Sequence, residues 1–146
     1  MKFGTTALAV LLLAAPPALA HVHVHPEEAA AGRPVEIALQ IGHGCAGQAT
    51  TALRVALPEG LGRVLIVPQP GWSVTTAGEG RVQEIRWSGG HLPDHEKASF
   101  TFVATPEAGG ELVLPVVQVC GGTEIRWIEG PGSDRPAPVL RVAPAA

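Results

Sequence analysis

Three histidines alternate with two valines at His21-Val22-His23-Val24-His25. In an extended chain, successive side chains point to opposite faces, so the three imidazoles share one face and the valines the other. Imidazole is a ligand for copper, zinc and nickel. Cleavage before His21 would add another donor, because it releases an α-amine on that residue. Such an amine titrates at about pH 8, so a metal ion can displace its proton close to neutrality. Amine and ring nitrogen of one residue then form a two-nitrogen chelate suited to the tetragonal geometry of Cu(II). The same residues also spell a second mode, in which the amine, two deprotonated backbone amides and the His23 ring enclose Cu(II) or Ni(II) in a square plane. Both modes need the amine and use it differently, so they exclude each other.

A carboxylate would complete such a site and offset the charge of the ion. The candidates are Asp94 and Glu96, in a loop where His91 and His95 flank Leu92-Pro93-Asp94. Taken singly, His91 and His95 read as solvated side chains, and His43 as part of the Gly42-His43-Gly44-Cys45 turn. Trp72, Trp87 and Trp127 are core residues or lids at strand ends. A Trp face beside a cation contributes ~0.5–2 kcal/mol and shields the ion from water. The plainer alternative is a polar chain end whose histidines stay in water.

Cys45 and Cys120 are the only cysteines. An oxidising compartment favours joining them, and the long loop so closed stabilises the fold by ~4 kcal/mol in the chain-entropy description. The competing reading is a thiolate pair for a soft ion such as Cu(I) or zinc. No CxxC supports it.

That compartment is set by the first twenty residues. Met1 to Ala20 reads as a secretory signal: Lys2 is its positive start, Ala7 to Ala15 its apolar core, and Ala18-Leu19-Ala20 its small-x-small cleavage site. The apolar run is shorter than the roughly 20 residues a membrane span needs, and no cysteine follows for a lipid anchor. Cleavage after Ala20 would leave residues 21–146 as one domain beginning at His21, periplasmic or secreted, with no transmembrane span. The full chain carries 10 Lys and Arg against 13 Asp and Glu, a net charge of −3. This balance excludes nucleic acid as a partner, which needs a basic stripe.

The elements that must position these residues are strands. Gly and Pro number 18 and 14 in 146 residues, enough to disfavour a helical bundle, while a 46% hydrophobic content is too apolar for a disordered chain. Val35, Ile37, Leu39 and Ile41 alternate with Glu36, Ala38 and Gln40; Leu53, Val55 and Leu57 alternate in the same way. Further runs at 64–67, 72–76, 82–87, 99–104, 112–119, 124–128 and 139–142 bring the total to about nine strands. Turn signals every 8–12 residues predict an all-β sandwich or barrel. No nucleophile elbow, phosphate-binding glycine loop or HExxH is present, so no enzyme chemistry is expected.

Several fragments, in order, resemble the YcnI-like family of secreted copper-binding domains. They are the signal ending before His21-Val22, Pro26-Glu27-Glu28 with Ala31-Gly32, and His43-Gly44-Cys45-Ala46-Gly47. Next come Pro68-Gln69-Pro70-Gly71-Trp72, Trp87-Ser88-Gly89-Gly90 with Leu92-Pro93, Phe100 with Phe102, Pro115 through Gln118 to Cys120, and Trp127. The resemblance covers residues 21 to 130 and implies an immunoglobulin-like, cupredoxin-like β-sandwich. It further implies a copper brace, with Cu(II) held by the amine and imidazole of His21, a loop carboxylate (Asp94 or Glu96) and the nearby Trp127. His23 and His25 depart from the family's single terminal histidine. The expectation is an exported protein for copper storage, transfer or homeostasis, with other periplasmic or membrane copper-handling proteins as partners. Two alternatives stand beside it: a copper-dependent oxidase or peroxidase-like enzyme at the same site, and a structural sandwich with incidental histidines.

Overall fold

A computed structural model describes residues 21–146; the expected signal at 1–20 lies outside the described residues. Twelve strands and no helix occupy the described residues. One sheet runs in the order β1 (His23–His25), β3 (Val35–Ile41), β8 (Ala98–Pro106), β5 (Leu61–Ile66). A five-stranded sheet runs β11 (Thr123–Trp127), β10 (Val116–Cys120), β4 (Thr50–Ala56), β7 (Glu84–Leu92), β6 (Ser73–Ala77). A smaller sheet places β12 (Val139–Ala143) between β2 (Glu28–Ala30) and β9 (Gly110–Val113). The all-β sandwich expected from the alternation is the observed architecture.

The strand count exceeds nine for physical reasons. β1 and β2 have three residues each, too few to carry a readable period. The apolar run 112–119 is one segment in the sequence but two strands in the fold, divided at Pro115. Proline cannot donate to a ladder, and the chain uses that interruption to change sheets: β9 pairs with β12, and β10 with β4 and β11.

Alternation sorts the side chains as expected. Ile37, Leu39 and Ile41 of β3, Leu53 and Val55 of β4, and Phe100 and Phe102 of β8 are buried between the layers. Each fully buried aliphatic or aromatic side chain contributes roughly 1.5–3 kcal/mol. The layers meet at Trp87 of β7, whose ring lies 5.7 Å from Phe100 and 6.5 Å from Phe102 of β8. Trp72 adds an edge-on contact to Phe100 at 5.0 Å. Its indole lies across Gly90 of β7, where any Cβ would collide with the ring.

Cys45 and Cys120 form a disulfide, S–S 2.05 Å, with both residues buried. The bond joins the turn that follows β3 to the end of β10, and so ties one sheet to the other.

Candidate metal centre

His21 enters the fold immediately before β1, the edge strand of the four-stranded sheet. β1 pairs antiparallel with β3, His23 opposite Gln40 and His25 opposite Ala38. This register carries His21 past the end of β3, beside Gly42. Val22 and Val24 are buried while His23 and His25 are exposed, the division that the HVHVH alternation dictates. The valines therefore fix the first residues of the domain against the core.

His21 is half-buried and differs from the other two histidines in its surroundings. Its ring lies 6.1 Å from Trp127, edge-on at 65°, and 6.4 Å from the His23 ring. A cavity of about 560 Å³ opens on His21 and His23 and is bounded by Gln40, Gly42, Lys97 and Ser99. His21 Nε2 is buried and has no hydrogen-bond partner. A buried polar atom without a partner typically costs about 1–3 kcal/mol, which makes this ring a place to look for a ligand.

Trp127 closes the strand β11 and is 5% exposed. Its indole Nε1–H donates to Gln118 Oε1 at 3.1 Å. Gln118 is 1% exposed, and its Nε2 donates to the His43 carbonyl at 2.8 Å and to Thr50 Oγ1 at 2.8 Å. Thr50 Oγ1 lies 3.8 Å from Cys120 Sγ. A disulfide sulfur carries no hydrogen, so Thr50 is the donor. Trp127, the neighbour of His21, is thus joined through one amide to the turn after β3 and to the disulfide.

The loop carboxylates lie differently. Asp94 turns toward Gly44, whose N–H donates to its Oδ1 at 3.0 Å and to its carbonyl at 3.2 Å. A Cβ at position 44 would clash with the Gln48 carbonyl and crowd Asp94 Oδ1, so only glycine permits this closure. Asp94 Oδ2 also approaches His95 Nε2 at 3.5 Å, on a side chain that is 94% exposed. Glu96 is exposed. Neither carboxylate lines the cavity beside His21. His43 points its Nδ1 at the Gly44 carbonyl, 2.8 Å away, and so serves the turn; His91 is exposed on β7.

Among the described residues no group of three or more His, Cys, Asp or Glu converges to hold a metal. The structure brings together His21, His23 and Trp127, while Asp94 is bonded to Gly44 and does not line the cavity beside His21. An ion at His21 would need donors beyond the side chains gathered there. With no bond at Nε2, the His21 imidazole is free to present either ring nitrogen. Gln118 was the residue that spacing could have flagged: it is a polar member of the inward row Val116, Gln118, Cys120.

No helix among the described residues is long and apolar enough to cross a membrane. Among curated proteins no sequence match was found. Among solved structures, an uncharacterized Nocardia farcinica protein with an immunoglobulin-like fold is 24% identical, with TM-score 0.72, over 84% of this chain and 98% of that one. The third cohesin ScaC of Acetivibrio cellulolyticus, solved with the ScaB dockerin, is 8% identical with TM-score 0.52 over 86% and 99%. A type I cohesin of Pseudobacteroides cellulosolvens is 13% identical with TM-score 0.50 over 86% and 93%. At these identities the likeness establishes the immunoglobulin-like sandwich and nothing about ligands. A family model does match the sequence, at residues 21–81 and 76–142, and so the chain belongs to the family described as a domain of unknown function, DUF1775.

Proposed function

We propose that this chain is an exported Cu(II)-binding protein whose site is the amine and imidazole of His21, created when residues 1–20 are removed, and that it serves copper storage, transfer or homeostasis. The observation that carries this reading is the His21 ring itself, half-buried, edge-on to Trp127 and without a partner at its buried Nε2. A chelate with the residue's own amine closes through Nδ1. No hydrogen bond at Nε2 holds the ring against the turn that this needs. Bound there, copper would supply one-electron chemistry and an affinity for nitrogen donors. Trp127 would wall the ion from water and offer its ring to the positive charge, and Val22 and Val24 would hold His21 in place.

The same two valines favour this chelate over the square-planar one. The planar mode draws the Val22 and His23 amide nitrogens around the ion, which curls the chain. Curling would lift Val22 and Val24, both buried, out of the core, at a cost of roughly 1.5–3 kcal/mol each. The amine and ring of His21 can bind without disturbing either.

The test is a pair of calorimetric Cu(II) titrations, on protein beginning at His21 and on protein with one alanine added before it. The first should bind one ion tightly. The second should bind about 100-fold more weakly, a difference of ~2.7 kcal/mol, because its amine is displaced from the ring. Equal affinities, or no one-to-one binding by the first protein, would overturn the proposal. N-terminal sequencing of the exported product should return His21.

A further inference from the structure

We infer that Gln118 is the positioning residue of the His21 site, holding two neighbours of His21 at a fixed separation through one buried side-chain amide. One is Trp127, bonded to Oε1 at 3.1 Å, its ring 6.1 Å from that of His21. The other is the segment 42–44: its His43 carbonyl accepts from Nε2 at 2.8 Å, Gly42 borders the cavity that His21 lines, and Gly44 is bonded to Asp94.

The partners leave the amide no choice of orientation. An indole Nε1–H only donates and a backbone carbonyl only accepts, so Oε1 must face Trp127 and an N–H must face His43. The second N–H goes to Thr50 Oγ1, and Thr50 passes its own hydrogen to Cys120 Sγ. The position uses one acceptor and two donors, a set that only a side-chain amide supplies, and glutamine is the longer of the two amides. An ionised glutamate only accepts, a lysine only donates, and a methionine does neither. For a residue 1% exposed on a strand whose other inward members are Val116 and Cys120, an apolar side chain would serve packing alone as well or better. The amide is there for direction.

The test reads metal-free protein first. In two-dimensional NMR of the unaltered protein, the Trp127 indole N–H and both Gln118 side-chain N–H protons should exchange with solvent at least ~10-fold more slowly than exposed amides. Rapid exchange of the Gln118 protons would overturn the inference without any variant. Gln118→Glu should keep the Trp127 indole in its bonded position while the Gly44 amide, released with the His43 turn, exchanges faster. Gln118→Met should move the indole upfield and speed both. Variants that lose only melting temperature, with indole and Gly44 signals unchanged, would reduce Gln118 to a space-filler and overturn the inference.

The copper step rests on the proposed function. There, Gln118→Met should weaken Cu(II) binding by about 10-fold or more, the usual effect of removing a group that orients a metal site, and should change the Cu(II) spin-resonance spectrum. Binding by the unaltered protein with no loss in the variant would count against the positioning role. Absence of binding by the unaltered protein would count against the function alone, since the exchange measurements are made without metal.

Discussion

Trp87 and Trp127 are both buried tryptophans in the same five-stranded sheet, yet they are held by different forces. Trp87, 0% exposed, sits at the centre of the sandwich against Phe100 and Phe102, and its Nε1–H has no hydrogen-bond partner. Trp127, 5% exposed, sits at an edge strand with its Nε1–H bonded to Gln118. The centre tolerates an unmet donor, typically about 1–3 kcal/mol, because the burial of so large a ring outweighs it. At the His21 end the polar group is satisfied and the ring is aimed. Shape places the first tryptophan, and a hydrogen bond places the second.

The largest effect should come from the centre. Trp87→Ala is expected to lower stability by ~3–5 kcal/mol, measured by urea unfolding, because the void opens where the two sheets meet. A loss below ~1 kcal/mol, the size of an average substitution, would mean that the sheets are held elsewhere and that the centre is not set by packing.

Next in size is the disulfide. Replacing both Cys45 and Cys120 with alanine should cost ~2–5 kcal/mol by the same measurement. Because Thr50 links Cys120 to Gln118, the loss should be accompanied by a shift of the Trp127 indole resonance, while that of Trp87 stays. A shift at Trp87 and none at Trp127 would reverse the contrast between the two regions.

The centre was legible in the sequence and the surroundings of His21 only in part. Ile37, Leu39, Phe100 and Phe102 follow a period of two, and burial follows that period directly. The HVHVH alternation likewise foretold that Val22 and Val24 would be buried and His23 and His25 exposed. Contacts across strands have no such period. Nothing in the spacing of Trp127, Gln118, His43 and Thr50 reports that one amide joins them, because the register of β10 against β4 and β11 brings Thr50 and Trp127 to Gln118 and the turn after β3 brings His43. The same holds for Asp94, whose bond to Gly44 spans fifty residues. The division of 112–119 at Pro115 was readable in principle; the change of sheet that it permits was not.

A smaller and sharper contrast comes from trimming each tryptophan to phenylalanine. Trp127→Phe removes the donor that satisfies Gln118 Oε1 and leaves that buried oxygen unmet, for ~1–3 kcal/mol beyond the lost ring area. Trp87→Phe removes a donor that was unmet already, so the loss of packing is partly offset. The first substitution should therefore cost about 1 kcal/mol more than the second relative to the ring volume removed, read from unfolding midpoints. Equal losses would show that the Gln118 bond adds nothing to burial.

The smallest effect should be at His23, and its smallness is informative. His23 is exposed on the edge strand β1 and its ring lies 6.4 Å from that of His21. His23→Ala should change stability by no more than ~0.5 kcal/mol, as surface substitutions do. The two chelates that the sequence permits respond differently to it. With amine and ring both supplied by His21, Cu(II) affinity should stay within about twofold, a change of ~0.4 kcal/mol, and the spin-resonance spectrum should keep its form. In the square-planar mode the His23 ring is a ligand, so its removal would weaken binding sharply and replace one in-plane nitrogen in the spectrum. The burial of Val22 on one side of His23 and Val24 on the other argues for the first outcome. Those two valines keep the chain extended through the residues that the square plane would have to bend, so under the proposed function the core that packs Val22 and Val24 would also select the chelate at His21.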